Sequence, residues 1–151
     1  MAILFVDTSA LVRRYDRSEP GANQMRALSR KASGHQLVIA RITPIELAAA
    51  FNRKVREGRF TPAQMQRHWR LFRTHWREQY RTVALSEEVL REAETLPFAH
   101  QLRGYDAVQL ACALWVGRFL ADLNLEVRFC TADQAQGRAA GALGLRVELI
   151  V

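Results

Sequence analysis

Four of the 15 acidic residues stand where side-chain chemistry is commonly built: Asp7, Glu46, Asp106 and Asp133. Each lies at a junction between predicted elements, in apolar or small-residue company. Asp7 closes the run Ile3-Leu4-Phe5-Val6 and leads into Thr8-Ser9; Asp133 follows Val127 to Cys130 and then Thr131-Ala132. Glu46 sits within Thr43-Pro44-Ile45-Glu46-Leu47, and Asp106 opens the stretch Asp106-Ala107-Val108-Gln109-Leu110-Ala111. Carboxylates crowded together raise one another's pKa and cost stability unless a cation neutralises them. Hard oxygen ligands at this density suit Mg²⁺ or Mn²⁺, which keep several waters and also bind phosphate. The chemistry that follows is hydrolysis of a phosphodiester by a metal-activated water.

Each acid also has a local explanation. Asp7 and Asp133 can be N-caps, the latter with Gln136 three residues on. Thr43 as N-cap, Pro44 at the first helical position and Glu46 as the reciprocal acid make a capping box, with Ile42 and Leu47 as its hydrophobic staple. Asp106 can complement a helix dipole. Other catalytic devices are missing. There is no G-x-S-x-G, no cysteine with a plausible histidine partner and no glycine-rich phosphate loop. His68 and His75 are seven residues apart rather than four, with no suitable acid to join them in a metal site.

The elements that must position these acids alternate along the chain. Short apolar runs predict strands at 3–6, 37–40, 82–85, 127–130 and 145–151, with helices between them at about 9–15, 23–32, 43–56, 62–80, 86–96, 102–120 and 134–143. Pro97 is expected to break the fifth helix. A first strand apolar at every position is buried on both faces, as in parallel sheets. The pattern predicts a three-layer α/β/α fold around a central, mainly parallel sheet of four to five strands. In such a sheet the strand carboxyl ends and the following helix starts share one edge, so Asp7, Glu46 and Asp133 should face one crevice. Asp106 joins them if its helix packs there.

With 151 residues and 49% hydrophobic content, the chain is expected to form a single domain over 1–151. No apolar run is long enough for a membrane span, and the start has no basic leader, so the expected location is cytoplasmic. Cys112 and Cys130 read as reduced core residues. The net charge is +7, and nine basic residues against two acids between Arg53 and Arg81 equal that whole surplus. Nucleic acid is the simplest partner for such a lobe, and an acidic protein also fits. Arg70, Arg73 and Arg77 form its helical face, solvated by default and phosphate-facing if the acidic site is real. Met65, Trp69, Phe72, Trp76 and Tyr80 make a stripe on the same helix that reads as core, dimer seam or base-stacking platform.

Four segments together resemble the PIN domain, and more narrowly the VapC toxin ribonucleases of toxin–antitoxin pairs. They are Val6 to Val12, Thr43 to Leu47, Leu102 to Ala111 and Thr131 to Gln134. The resemblance implies a Mg²⁺- or Mn²⁺-dependent endoribonuclease with Asp7, Glu46, Asp106 and Asp133 as its acidic site. It implies Asp7 and Asp106 as direct metal ligands, with Glu46 assisting a ligand or orienting water and Asp133 completing the cluster. Ser9 and Thr131 match supporting hydroxyls. A homodimer and a cognate antitoxin are also implied. Two rivals stand beside this reading. A phosphatase of the haloacid-dehalogenase type wants a second Asp where Ser9 stands, and a non-catalytic RNA- or protein-binding domain would leave the crevice idle.

Overall fold

The computed structural model describes residues 1–151. Its strands are β1 (Ile3–Val6), β2 (Gln36–Ala40), β3 (Tyr80–Val83), β4 (Val127–Thr131) and β5 (Arg146–Leu149). They pair in the order β3-β2-β1-β4-β5, and every pairing is parallel. The helices are α1 (Thr8–Tyr15), α2 (Ala22–Leu28), α3 (Thr43–Arg56), α4 (Pro62–Glu78), α5 (Glu87–Ala99), α6 (Gly104–Ala121) and α7 (Gln134–Ala142).

The period of two in β1 explains the layering. Ile3 and Phe5 point into one core with residues of α5, α6 and α7, and Phe5 stacks on Phe129 of β4. Leu4 and Val6 point into the other, filled by α1, α2, α3 and α4 through Leu11, Met25, Phe51 and Phe72. All four β1 residues are buried, which requires helices on both faces. The chain lays β1, β2 and β3 outward in one direction, then crosses over to place β4 and β5 on the other side of β1. Strand order therefore reverses between β1 and β4. Open parallel sheets bind ligands beyond the strand carboxyl ends at such a reversal.

Several predicted boundaries shift. The second helix stops at Leu28, and Lys31–Ser33 form a separate 3₁₀ turn before Gly34. The third strand is Tyr80–Val83, two residues earlier than expected, because Tyr80 is needed in the core beneath Phe72. Pro97 does not break α5, which continues to Ala99. Proline removes one amide donor, but its fixed φ is helical, so a last turn can carry it. The aromatic stripe of α4 is core: Phe72 is fully buried, and Met65, Trp69 and Trp76 pack around the same cluster. Thr61 and Gln64 form a capping box at the start of α4. Gly21 is one position where glycine is required. Its φ is +80°, and an added Cβ would lie 2.7 Å from Ile150 Cγ2. No helix is long and apolar enough to cross a membrane.

Candidate active site

The seam between β1 and β4 runs straight into the acids. The Asp7 amide donates to the Cys130 carbonyl at 3.0 Å, so Asp7 continues the strand pairing before α1 begins. Its side chain is the N-cap of α1: Oδ1 accepts from the Ala10 amide at 2.9 Å and from Ser9 Oγ at 2.7 Å. Oδ2 accepts from Thr131 Oγ1 at 2.5 Å. The local capping role is thus true of Asp7, and the bond from Thr131 ties the same carboxylate to the end of β4. The residue is 1% exposed. Burial pushes its carboxyl up to about 6; the bonds from Thr131, Ala10 and Ser9 oppose the rise, and the charge of Asp106 adds to it.

Glu46 departs from its local reading. The helix begins at Thr43 with Ile42 as N-cap in helical conformation, and no side-chain cap forms. Thr43 is wholly buried and its Oγ1 accepts from Gln109 Nε2 at 2.9 Å instead. Glu46 is free to point across the sheet edge. Its Oε1 accepts from Thr8 Oγ1 at 2.9 Å and from Gln109 Nε2 at 2.7 Å. Burial lifts the Glu46 carboxyl above the ordinary range against these two bonds, and Asp106 raises it further.

Asp106 is the third residue of α6, and its Oδ2 accepts from the Arg103 amide and from Arg103 Nε, each at 3.3 Å. Its carbonyl accepts from Gln136 Nε2 at 3.1 Å, which ties the start of α6 to α7. Asp133 is the N-cap of α7, its Oδ1 accepting from the Gln136 amide at 3.1 Å. Its own amide donates to Thr131 Oγ1 at 3.1 Å, so Asp133 is linked to Asp7 through a hydroxyl and not through its carboxylate.

Hydrogen bonds tie the four positions to one edge: Thr8, next to Asp7, and Gln109, on the helix of Asp106, both hold Glu46, while Thr131 links Asp7 to Asp133. Nowhere do three or more His, Cys, Asp or Glu side chains converge closely enough to hold an ion by themselves. Each of the four is instead engaged by protein donors. Ser9 and Thr131 stand where expected, 3.2 Å apart, and Ser9 Oγ also accepts from the Ala132 amide.

Residues that the sequence reading passed over complete the site. Gln109 is 2% exposed and joins Thr8, Thr43 and Glu46 through one amide nitrogen. Its Oε1 is buried with no partner. A lone polar residue inside an apolar helical run, three positions after Asp106, was the available signal. Arg70, Arg73 and Arg77 are exposed on α4, and none pairs with a carboxylate or with the acidic cluster. Part of the predicted basic lobe is consumed internally. Lys54 is buried between Asp16 and Glu19, at 2.7 Å from each, and Arg59 pairs with the same two acids.

A family model described as the PIN domain matches residues 4–140. The chain belongs to the PIN domain family. Its acids stand at the strand reversal of a PIN fold, and solved structures agree on that fold. VapBC2 from Rickettsia felis, in a crystal structure bound to a DNA fragment from their promoter, is 13% identical with a TM-score of 0.62, covering 97% of this chain and 98% of that one. Mycobacterium tuberculosis VapC20, described as a Sarcin-Ricin loop cleaving toxin, is 14% identical with a TM-score of 0.61, covering 94% and 95%. A toxin–antitoxin complex from Klebsiella pneumoniae is 19% identical with a TM-score of 0.55, covering 90% and 89%. At these identities the likeness is one of fold. No functionally curated protein matches this PIN domain in sequence.

Proposed function

We propose that this PIN domain is a Mg²⁺- or Mn²⁺-dependent endoribonuclease of the VapC toxin type, a single domain over residues 1–151 controlled by a cognate antitoxin. The observation that carries the reading is a hydrogen-bond network at the strand reversal: Thr8 and Gln109 hold Glu46, Thr131 links Asp7 to Asp133, and Gln136 links Asp133 to Asp106. Burial raises the carboxyls of both Asp7 and Glu46, and the charge of Asp106 adds to each, although Asp7 follows β1 and Glu46 lies in α3, far apart in sequence. The donor set fits a hard divalent cation: it is all carboxylate and hydroxyl oxygen, and two of its carboxyls are shifted in the direction that a bound cation reverses.

Asp7 and Asp106 would hold the ion, with Glu46 and Asp133 assisting. When bound, such an ion supplies Lewis acidity that lowers the pKa of water and offsets phosphate charge. The chain's own residues do the positioning. Ser9, Ala10 and Thr131 fix both oxygens of Asp7. Thr8 and Gln109 fix Oε1 of Glu46, which leaves Oε2 to orient the attacking water and take up its proton. Arg70, Arg73 and Arg77 are offered to flanking phosphates of the RNA. An antitoxin partner is supported by the neighbours that are toxin–antitoxin complexes. Two buried free cysteines suit a reducing, cytoplasmic setting, and a homodimer is part of the same proposal.

One observation favours a second reading, a non-catalytic RNA- or protein-binding PIN domain: Arg103 Nε lies 3.3 Å from Asp106 Oδ2, an oxygen that a metal ion would need. The double variant Asp7→Asn, Asp106→Asn separates the two. The wild type should cut RNA in Mg²⁺ or Mn²⁺, and the variant should lose cutting while keeping or tightening RNA binding, because negative charge leaves the crevice. A wild type that binds RNA and never cuts it in either ion would give the second reading the case.

A further inference from the structure

The ends of α1 and α2 meet the side of α4 around an open cavity of about 330 Å³, distinct from the acidic crevice. Arg14, Arg17, Arg26 and Arg30 line it with His68 and His75, and no acidic residue is among the lining. Arg17, Arg26 and Arg30 have no ion-pair or hydrogen-bond partner for their guanidinium groups. Arg14 is held rigidly: Nη1 donates to Tyr80 Oη at 2.6 Å, and Nη2 lies 3.3 Å from His75 Nε2.

A structural role accounts for only part of this charge. Arg14 and Arg26 lie in the last turns of α1 and α2, where helix dipoles favour cations. Two helix ends supply roughly one elementary negative charge between them, against four guanidinium groups. Arg17 and Arg30 lie beyond the helix ends altogether. The acids nearest in sequence, Asp16 and Glu19, do not line the cavity and are paired with Lys54, Arg59 and Arg13.

We infer that this cavity binds backbone phosphates of single-stranded RNA, as a subsite remote from the cleaved bond. The inference rests on the nuclease reading above. Guanidinium forks match phosphate oxygens in paired hydrogen bonds, and a preordered Arg14 loses little freedom on binding. The lining offers only Tyr15 and Leu71 as apolar groups, so it lacks the anchor pockets through which a peptide partner gains affinity. α1 itself links the two places: Asp7 caps its start, and Arg14 lies about 10 Å along it at a rise of 1.5 Å per residue. A single strand of a few nucleotides is long enough to span that separation.

The test uses the full chain in EDTA, so that RNA is bound without being cut, with a fluorescein-labelled single-stranded RNA of mixed sequence. The triple variant R17Q/R26Q/R30Q should weaken binding at least tenfold at moderate salt. The slope of log K against log[salt] should shrink by about 2, at about 0.7 for each phosphate that is no longer neutralised. R17K/R26K/R30K, which keeps the charges, should retain most of the slope and so exclude misfolding as the cause. An unchanged slope in the glutamine variant overturns the inference, even where the wild type binds and cuts RNA and the nuclease reading stands. Loss of poly-glutamate binding with RNA binding intact also overturns it, assigning the cavity to an acidic protein segment. A wild type that neither binds nor cuts RNA removes both readings together.

Discussion

Gln109 Nε2 donates to Glu46 Oε1 at 2.7 Å, joining α6 to α3 across 63 residues of sequence. The same nitrogen reaches Thr8 and Thr43, so one buried amide gathers polar groups from α1 and α3 onto α6 at the sheet edge. A group in that position is costly to remove, because Thr43 stays buried and Thr8 and Glu46 half-buried without their donor. Gln109→Leu keeps the volume and loses the donor. It should lower stability by about 1–3 kcal/mol in thermal or urea unfolding. If Glu46 orients water as proposed, kcat for RNA cleavage should fall well below the wild-type value with KM nearly unchanged. A destabilised variant with normal kcat would make Gln109 a packing residue only.

Asp7 gives a pH dependence whose sign is fixed by its environment. Its folded carboxyl is pushed up to about 6 from an ordinary 3.8, so between these values the folded state holds a proton that the unfolded state has released. Stability from this group is therefore complete below about pH 4 and is lost as pH rises through about 6, by roughly 3 kcal/mol in all. Unfolding of the protein in EDTA should show that decline, with a smaller contribution of the same sign from Glu46. Asp7→Asn should flatten it. A wild type and variant with parallel stability–pH curves would refute the assignment.

The exposed arginines of α4 make a separate electrostatic claim. Arg70→Ala with Arg77→Ala should reduce the salt slope of RNA affinity by about 1.4, at about 0.7 per neutralised phosphate on a single strand, with little sequence preference. Binding titrations across a range of KCl concentrations measure it. A slope equal to that of the wild type would return this face to solvent or to the antitoxin.

Lys54 carries a structural prediction. Its ammonium is buried at 2.7 Å from Asp16 Oδ2 and Glu19 Oε1, with Asp16 itself 4% exposed. Lys54→Met removes the buried partner of Asp16 and leaves it to Arg59 and Ser18, so it should cost at least about 2 kcal/mol near neutral pH and less than the roughly 3–5 kcal/mol of a charge with no partner left. The Asp16 and Glu19 carboxyls are held below their ordinary range: burial opposes the shift in Asp16, and the bond from Lys54 drives it in both. Their stabilisation is present above the unfolded carboxylate pKa and disappears as pH falls through the lowered one. The gap between variant and wild type in urea unfolding should therefore narrow toward acid pH, and a gap that widens there would contradict the pairing.

The sequence by itself determined the layers and the acids. Alternation of short apolar runs with helical segments sufficed for a parallel sheet covered on both faces, since Ile3, Leu4, Phe5 and Val6 cannot all be buried otherwise. It also pointed Asp7, Glu46 and Asp133 to one edge, because strand carboxyl ends and the helix starts that follow them share it. Tertiary structure decided the rest, wherever a distant partner outcompeted a local one. Thr43 is bonded to Gln109 instead of capping its helix, and Glu46 reaches Thr8 and the same Gln109. Asp16 and Glu19 took Lys54 and Arg59 out of the basic lobe, which left four arginines from outside that lobe facing a common cavity. Charge counted along a chain is a sum, but the field a ligand meets depends on which charges have already found partners, and only folding chooses those.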